Sequence, residues 1–291
     1  MLNTRTLSHC DTGVNQVTRV SSAFATTSQY VGQTDWLPMG GPAGAAKMKA
    51  QLPGRTPALT SNGLPRAGTV LAVTARPGVE SADLGALLSA FGQAGARLTL
   101  LSLTRGEASP VNSTRNRLEA VRPWELQLAA WSLGVSSVAV SDFPDGGLRH
   151  CRMSDLTARV ERAIAEYAPD LVLVLDPATG NCDDAQAARA ACLAAESAGV
   201  PVAARTIRGA QGSWQVELGD KTGAARSVQR SAARAHASQS EALPELLARL
   251  DSHEQLRWLL PPTIAPTIAP QRVTTPRVAV EACRETVPAL A

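Results

Sequence analysis

Thr69-Val70-Leu71-Ala72-Val73-Thr74-Ala75-Arg76-Pro77-Gly78-Val79-Glu80 is the stretch that decides how the rest of the chain is read. Its first seven residues form a short apolar run with no polar alternation, the pattern of a strand covered on both faces in a parallel sheet. Pro77-Gly78 then breaks the run with a turn. Beyond it Leu84, Leu87, Leu88 and Phe91 recur at helical spacing, up to Gly95. Strand, turn and helix in that order predict the first half of a βαβ unit.

The unit repeats downstream. Strands are predicted at 98–103, 137–140, 171–175 and 202–207, and helices at 118–133, 156–167 and 185–197. Residues 214–218 alternate and predict part of an antiparallel edge hairpin, and a final helix is predicted over 228–250. The fold class is therefore α/β, a Rossmann-like open and mostly parallel sheet with helices on both faces.

The 291-residue chain is 44% hydrophobic, enough for a large core. No run approaches the roughly 20 apolar residues of a membrane-spanning helix. A formal charge of +3, dispersed along the chain, is too weak for a nucleic-acid partner. Cys10, Cys151, Cys182, Cys192 and Cys283 are scattered without a C-x-x-C pair, which predicts neither a disulfide framework nor a zinc knuckle. Arg5 and Arg19 lack a following apolar stretch, so no secretory leader is predicted and a reducing, cytoplasmic location is expected.

Residues 1–66 show no sustained period and are interrupted by Gly40-Gly41-Pro42, Pro53-Gly54 and Pro57. They predict a disordered or loosely attached arm. Residues 67–260 make the α/β domain. Residues 261–291, with Thr-Ile-Ala-Pro repeated at 263–266 and 267–270, predict a Pro-rich disordered tail.

In open α/β sheets, ligands bind beyond the carboxyl ends of the strands. Two loops stand there: 75–80, and Asp176-Pro177-Ala178-Thr179-Gly180-Asn181-Cys182-Asp183-Asp184. Between them lie Thr104-Arg105-Gly106-Glu107, the helix from Arg122 to Val135, and Phe143-Pro144-Asp145-Gly146-Gly147-Leu148; after them comes His236-Ala237-Ser238-Gln239. In order and spacing these pieces resemble the PIG-L/LmbE-like zinc-dependent N-deacetylases. That family carries T-x-G-E, R-x-x-E-L-x-x-A-x-x-L-G-V, F-P-D-G-x-L and H-x-S-Q elements, between and after its A-H-P-D-D-E and H-x-D-H motifs. The resemblance implies an LmbE-like three-layer fold and an ancestry among C–N hydrolases acting on N-acetylglucosamine-type conjugates.

The departures fall on the catalytic positions. The family's zinc ligands correspond to Arg76, Val79 and Asp184, its base to Gly78, and the first His of H-x-D-H to Asn181. Glu80 and Asp183 keep the family's identity. Catalytic zinc needs about three N, O or S ligands, and Arg and Val supply none. A degenerate homologue with no metal cofactor is predicted, in which Arg76 stands in for the cation and pairs with Asp184 and Asp183. Three roles stay open: a pseudoenzyme binding a sugar, glycoconjugate or protein partner; a divergent amidase with a relocated site built on Glu80, Cys182, Asp183, Asp184 and His236; and a scaffold. The resemblance implies sugar-facing roles for Arg122 and Asp145, although Arg122 can instead pair locally with Glu125. His236 is a candidate ligand contact or a structural histidine.

Overall fold

The computed structural model describes residues 36–38, 59–206, 210–219 and 223–262. At its centre β2 (Thr69–Thr74) pairs in parallel with β3 (Arg97–Thr104) on one side and β5 (Leu171–Leu175) on the other. Next to β3 lies β4 (Val135–Phe143), and next to β5 lies β6 (Val202–Thr206), both parallel. Three antiparallel strands complete the sheet: β1 (Trp36–Pro38) beside β4, β7 (Ser213–Glu217) and β8 (His253–Leu260). The order is β1-β4-β3-β2-β5-β6-β8-β7. It reverses direction between β2 and β5, the switch point where such sheets open a crevice at their carboxyl ends.

Helices cover both faces, and the two-residue period of the strands divides the core between them. Val70 and Ala72 of β2 point into one cluster, with α2 (Gly85–Gln93), α3 (Leu118–Ser132) and α6 (Ala224–Ala235). Leu71 and Val73 point into the other, with α4 (Met153–Tyr167) and α5 (Cys182–Ala198). The inner face of α5 is almost wholly alanine (Ala187, Ala188, Ala190, Ala191, Ala194 and Ala195). Side chains that short let the helix backbone lie close to the sheet. No helix among the described residues is long and apolar enough to cross a membrane.

Three features differ from the sequence reading. The long final helix is instead α6, a tight turn at Ala237–Ala242 and the short α7 (Leu243–Ala248). Strand β8 has no counterpart in the reading, and it inserts between β6 and β7. Its inward residues explain why. Glu254 is buried against Arg205 and Arg226, and Arg257 pairs with Asp176, so charged residues interrupt the apolar positions at Leu256 and Trp258 and leave no continuous run to mark a strand.

Residues 59–66, read as arm, lie against β7. Leu64 is buried, Glu217 N–H donates to Asn62 O at 2.8 Å, and Trp214 Nε1 donates to Gly63 O at 2.8 Å. Gly63 is required there. Its φ is +84°, and a Cβ would meet Gln215 O at 2.2 Å. Residues 1–35 and 39–58 of the predicted arm, and 263–291 of the predicted tail, lie outside the described residues.

Candidate functional site

The loop after β2 and the N-terminus of α5 meet across the switch point. Arg76 Nη1 lies 3.2 Å from Asp184 Oδ1, with Arg76 partly exposed and Asp184 buried. Burial pushes the Asp184 carboxyl up to about 6; Arg76 opposes this, while the negative charges of Asp83, Asp183 and Asp145 add to it. Asn181 caps α5, its Oδ1 accepting from the N–H groups of Asp183 (2.9 Å) and Asp184 (3.1 Å). An N-cap oxygen of this kind fixes the first turn of the helix and so sets where Asp184 points.

Asp183 does not join the Arg76 pair. Its Oδ1 accepts the Leu148 N–H at 3.1 Å, tying α5 to the loop after β4, and its Oδ2 is buried without a hydrogen-bond partner among the described residues. The expectation that Arg76 serves both carboxylates is therefore met only for Asp184. A backbone donor 35 residues away took the other.

A second cluster lies deeper. Glu80, in the one-turn helix α1 (Val79–Ala82), is fully buried, and its Oε1 is 2.7 Å from His236 Nε2. Ser81 Oγ donates to the same oxygen at 2.6 Å, and Gly78 N–H donates to Glu80 Oε2 at 2.7 Å. Burial alone would raise the Glu80 carboxyl. The charge and hydrogen bond of His236, with those of Ser81 and the backbone, outweigh it and hold the group below its ordinary value. Ser81 Oγ is also 3.3 Å from His236 Nε2, and His236 Nδ1 is buried with no partner among the described residues.

Arg122 is buried and bonds backbone, not Glu125. Its Nη1 donates to Gly106 O and its Nη2 to Pro77 O, so one guanidinium holds the loops after β2 and β3 together. Glu125 instead receives Ser238 N–H at 2.7 Å and Ser238 Oγ at 2.6 Å. Gly106 makes room for Arg122: its φ is +75°, and a Cβ would lie 2.4 Å from Arg122 Nη1. Gly106→Ala is expected to cost about 2 kcal/mol or more, the left-handed backbone contributing roughly 1–2 kcal/mol before the guanidinium is displaced. Chemical denaturation would measure the loss. Asp145, half-buried, accepts from Ala108 N–H at 3.0 Å and from Thr104 Oγ1 at 3.3 Å, which makes it a brace for the same loops.

Between these groups is a cavity of about 250 Å³. Of the residues predicted to face a ligand, Arg122 and His236 line it and Asp145 does not. Arg76, Gly78 and Val79 line it as well. So do Ser81, Asp83, Leu243, Leu246 and Arg249, which carried no recognisable signal in the sequence. Cys182 is exposed and is not among the lining residues.

The donor set does not fit zinc. Arg76 and Val79 offer no lone pair, and Asp184 is already held by a guanidinium. Among the described residues no three His, Cys, Asp or Glu side chains are grouped to hold a metal. The relocated metal site considered from the sequence is not assembled either: Glu80 and His236 form one pair, and Asp183 and Asp184 diverge to separate partners.

Comparison with known proteins bears on the fold and the ancestry. Residues 71–195 match the PIG-L family, described as GlcNAc-PI de-N-acetylase. No curated protein sequence matches the chain significantly. A mutant deacetylase of the teicoplanin biosynthetic pathway superposes with a TM-score of 0.55 at 21% identity, over 65% of this chain and 96% of its own. GalB, a 4-carboxy-2-hydroxymuconate hydratase from Pseudomonas putida KT2440, gives 0.54 at 17% identity over 68% and 98%. The N,N'-diacetylchitobiose deacetylase of Pyrococcus horikoshii gives 0.53 at 16% identity over 67% and 84%. Identities this low speak for the fold, and a hydratase beside two deacetylases shows that the fold alone does not dictate chemistry. The strand order and the loops meeting at the switch point agree with the fold of these proteins, and residues 71–195 are the part of the chain that is similar to the PIG-L family.

Proposed function

We propose that this chain is a PIG-L-fold binding protein that has given up zinc amidase chemistry and holds a sugar or glycoconjugate in the cavity at the switch point. The observation that carries this reading is the Arg76–Asp184 ion pair, which puts a fixed cation where the family's metal chemistry requires an open coordination site. Ligand contacts come from His236 Nδ1 and Arg122 Nε, two buried polar atoms left without partners on cavity-lining residues. Leu243 and Leu246 supply an apolar wall for a sugar face. The proposed setting is the cytoplasm, where the free thiols of Cys151, Cys182 and Cys192 stay reduced.

The divergent-amidase alternative would turn on Ser81, His236 and Glu80. In a nucleophile relay the hydroxyl and the carboxylate use different ring nitrogens. Here both stand at Nε2, so the ring cannot pass a proton from Ser81 to an opposite partner. The cluster reads better as a buried brace.

The purified chain is expected to contain far less than one zinc per molecule and to leave N-acetylglucosamine conjugates intact. An aminosugar that binds should raise its melting temperature saturably, by an amount equivalent to about 2.7 kcal/mol at a hundred times Kd. Elemental analysis, a deacetylation assay and a thermal-shift series test these points. Stoichiometric zinc that a chelator removes together with an amidase activity would refute the proposal.

A further inference from the structure

Helix α3 is apolar on both sides. Leu126, Ala129 and Ala130 are fully buried against the sheet, yet Trp124, Leu128 and Trp131 are 65%, 55% and 71% exposed. Five large apolar side chains are exposed among the described residues, and three of them stand on this one helix. At about 100° per residue, positions 124, 128 and 131 fall within an arc of roughly 60°. They form one stripe, not scattered exposures. A helix with two apolar faces needs something on each, and contiguous apolar surface of this kind marks an interaction site.

We propose that a second copy of this chain covers the stripe, α3 packing antiparallel on its counterpart about a two-fold axis near Leu128. Three observations select that occupant. The pattern Trp-x-x-x-Leu-x-x-Trp reads nearly the same in both directions, as a two-fold contact requires of a single helix. Antiparallel pairing sets Trp124 of each copy against Trp131 of the other, with Leu128 on the axis.

The second observation is charge. The exposed residues flanking the stripe, Ala120 and Ser132, and the half-buried Gln127 carry none. The nearest ionised groups on the helix end, Arg117 and Glu119, pair with each other. Two identical surfaces meet here without repulsion. An anionic bilayer would require basic residues around the tryptophans, and the stripe has none.

The third observation is area. With about 250 Å² at most for each Trp, the three side chains of both copies would bury roughly 800 Å². That is roughly two fifths to two thirds of the roughly 1,200–2,000 Å² of a stable interface, and the rest would have to come from residues flanking the stripe. Depletion of charge with enrichment of Trp is the composition of an interface core.

The test uses the full chain. Sedimentation velocity at tens of micromolar should give twice the 30.4 kDa chain mass. The double variant Trp124→Glu/Trp131→Glu should sediment as a monomer, with unchanged circular dichroism. Because both positions are exposed, the variant has no reason to unfold. A cysteine at position 128 (Leu128→Cys) should yield an oxidised covalent dimer well above the background from the native thiols. Glu161→Cys, on α4 at the other face of the sheet, should not. The proposal is overturned by a monomeric wild-type chain, by a dimer that survives the double variant, or by equal cross-linking at 128 and 161. Sedimentation of a monomeric chain with neutral phosphatidylcholine vesicles, lost in the double variant, would assign the stripe to lipid and overturn it too.

Discussion

His236→Ala is expected to destabilise the fold by about 3–5 kcal/mol at pH 7, because it leaves Glu80 ionised in a fully buried position without its partner. The sign of the pH dependence follows from the carboxylate. In the native protein Glu80 lies below its usual 4.5, so the pair's contribution is present above about 4.5 and is lost as pH falls through the lower folded value. In the variant the His236 charge is gone and burial dominates, so the carboxyl moves above its ordinary value and takes a proton on modest acidification. The deficit should therefore shrink between pH 7 and pH 5. Urea denaturation at both values measures it. A deficit below about 1 kcal/mol that does not change with pH would mean that water, not His236, solvates Glu80. Removing both side chains should cost less than the sum of the single losses, since the stranded charge disappears.

Arg76→Ala is expected to cost about 1–3 kcal/mol at pH 7. The loss is smaller because Arg76 is 30% exposed and only Asp184, 5% exposed, is deeply placed. Here the sign is opposite to that of Glu80. Asp184 titrates near 6 in the folded protein against an ordinary 3.8, so the native state holds the extra proton between those values. Its contribution to stability is greatest below about 4 and falls as pH rises through 6. Loss of Arg76 removes the one attraction that opposes this and raises the carboxyl further. The Arg76→Ala deficit should then shrink toward pH 5, where Asp184 is protonated in both proteins. Asp184→Asn should be neutral or mildly stabilising at pH 7 and should flatten the slope between pH 4 and 7. Neutral, strictly additive effects of the two substitutions would show that Arg76 is solvated and does not replace a cation. Thermal melts across that pH range suffice.

The parts of the molecule legible in the sequence are those built from apolar period. Strands β2 and β5 carry continuous hydrophobic runs, and the two faces of β2 divide between the two core clusters as an alternating strand must. The meeting of Arg76 with Asp184 was legible for another reason: opposite charges stand on two loops that the topology brings to one crevice. What was hidden depends on groups that leave no pattern in a one-dimensional string. Asp183 is claimed by a backbone N–H at Leu148, and any residue has one. Glu80 finds His236 across 156 positions. Arg122, read as facing a ligand or pairing with Glu125, lines the cavity and also bonds the carbonyls of Pro77 and Gly106, while Asp145, outside the lining, accepts from Ala108. Strand β8 escaped because Glu254 and Arg257, matched to Arg205, Arg226 and Asp176, interrupt its apolar positions at Leu256 and Trp258.

The late position of β8 in the chain has a consequence for how the protein comes into being. As the chain leaves the ribosome, β6 can pair with β5 but emerges before β8, the strand on its other side, and β7 pairs only with β8. For some fifty residues of synthesis the growing sheet therefore presents an open edge, the kind of surface that recruits other chains. Closure comes from one insertion, in which Arg226, Glu254 and Arg205 must find one another as the strand docks. A ribosome that stops before His253 would release a chain with its parallel strands formed and that edge uncovered. Closure of that edge thus depends on β8, the last strand among the described residues, which is far in sequence from the loop after β2 that lines the cavity.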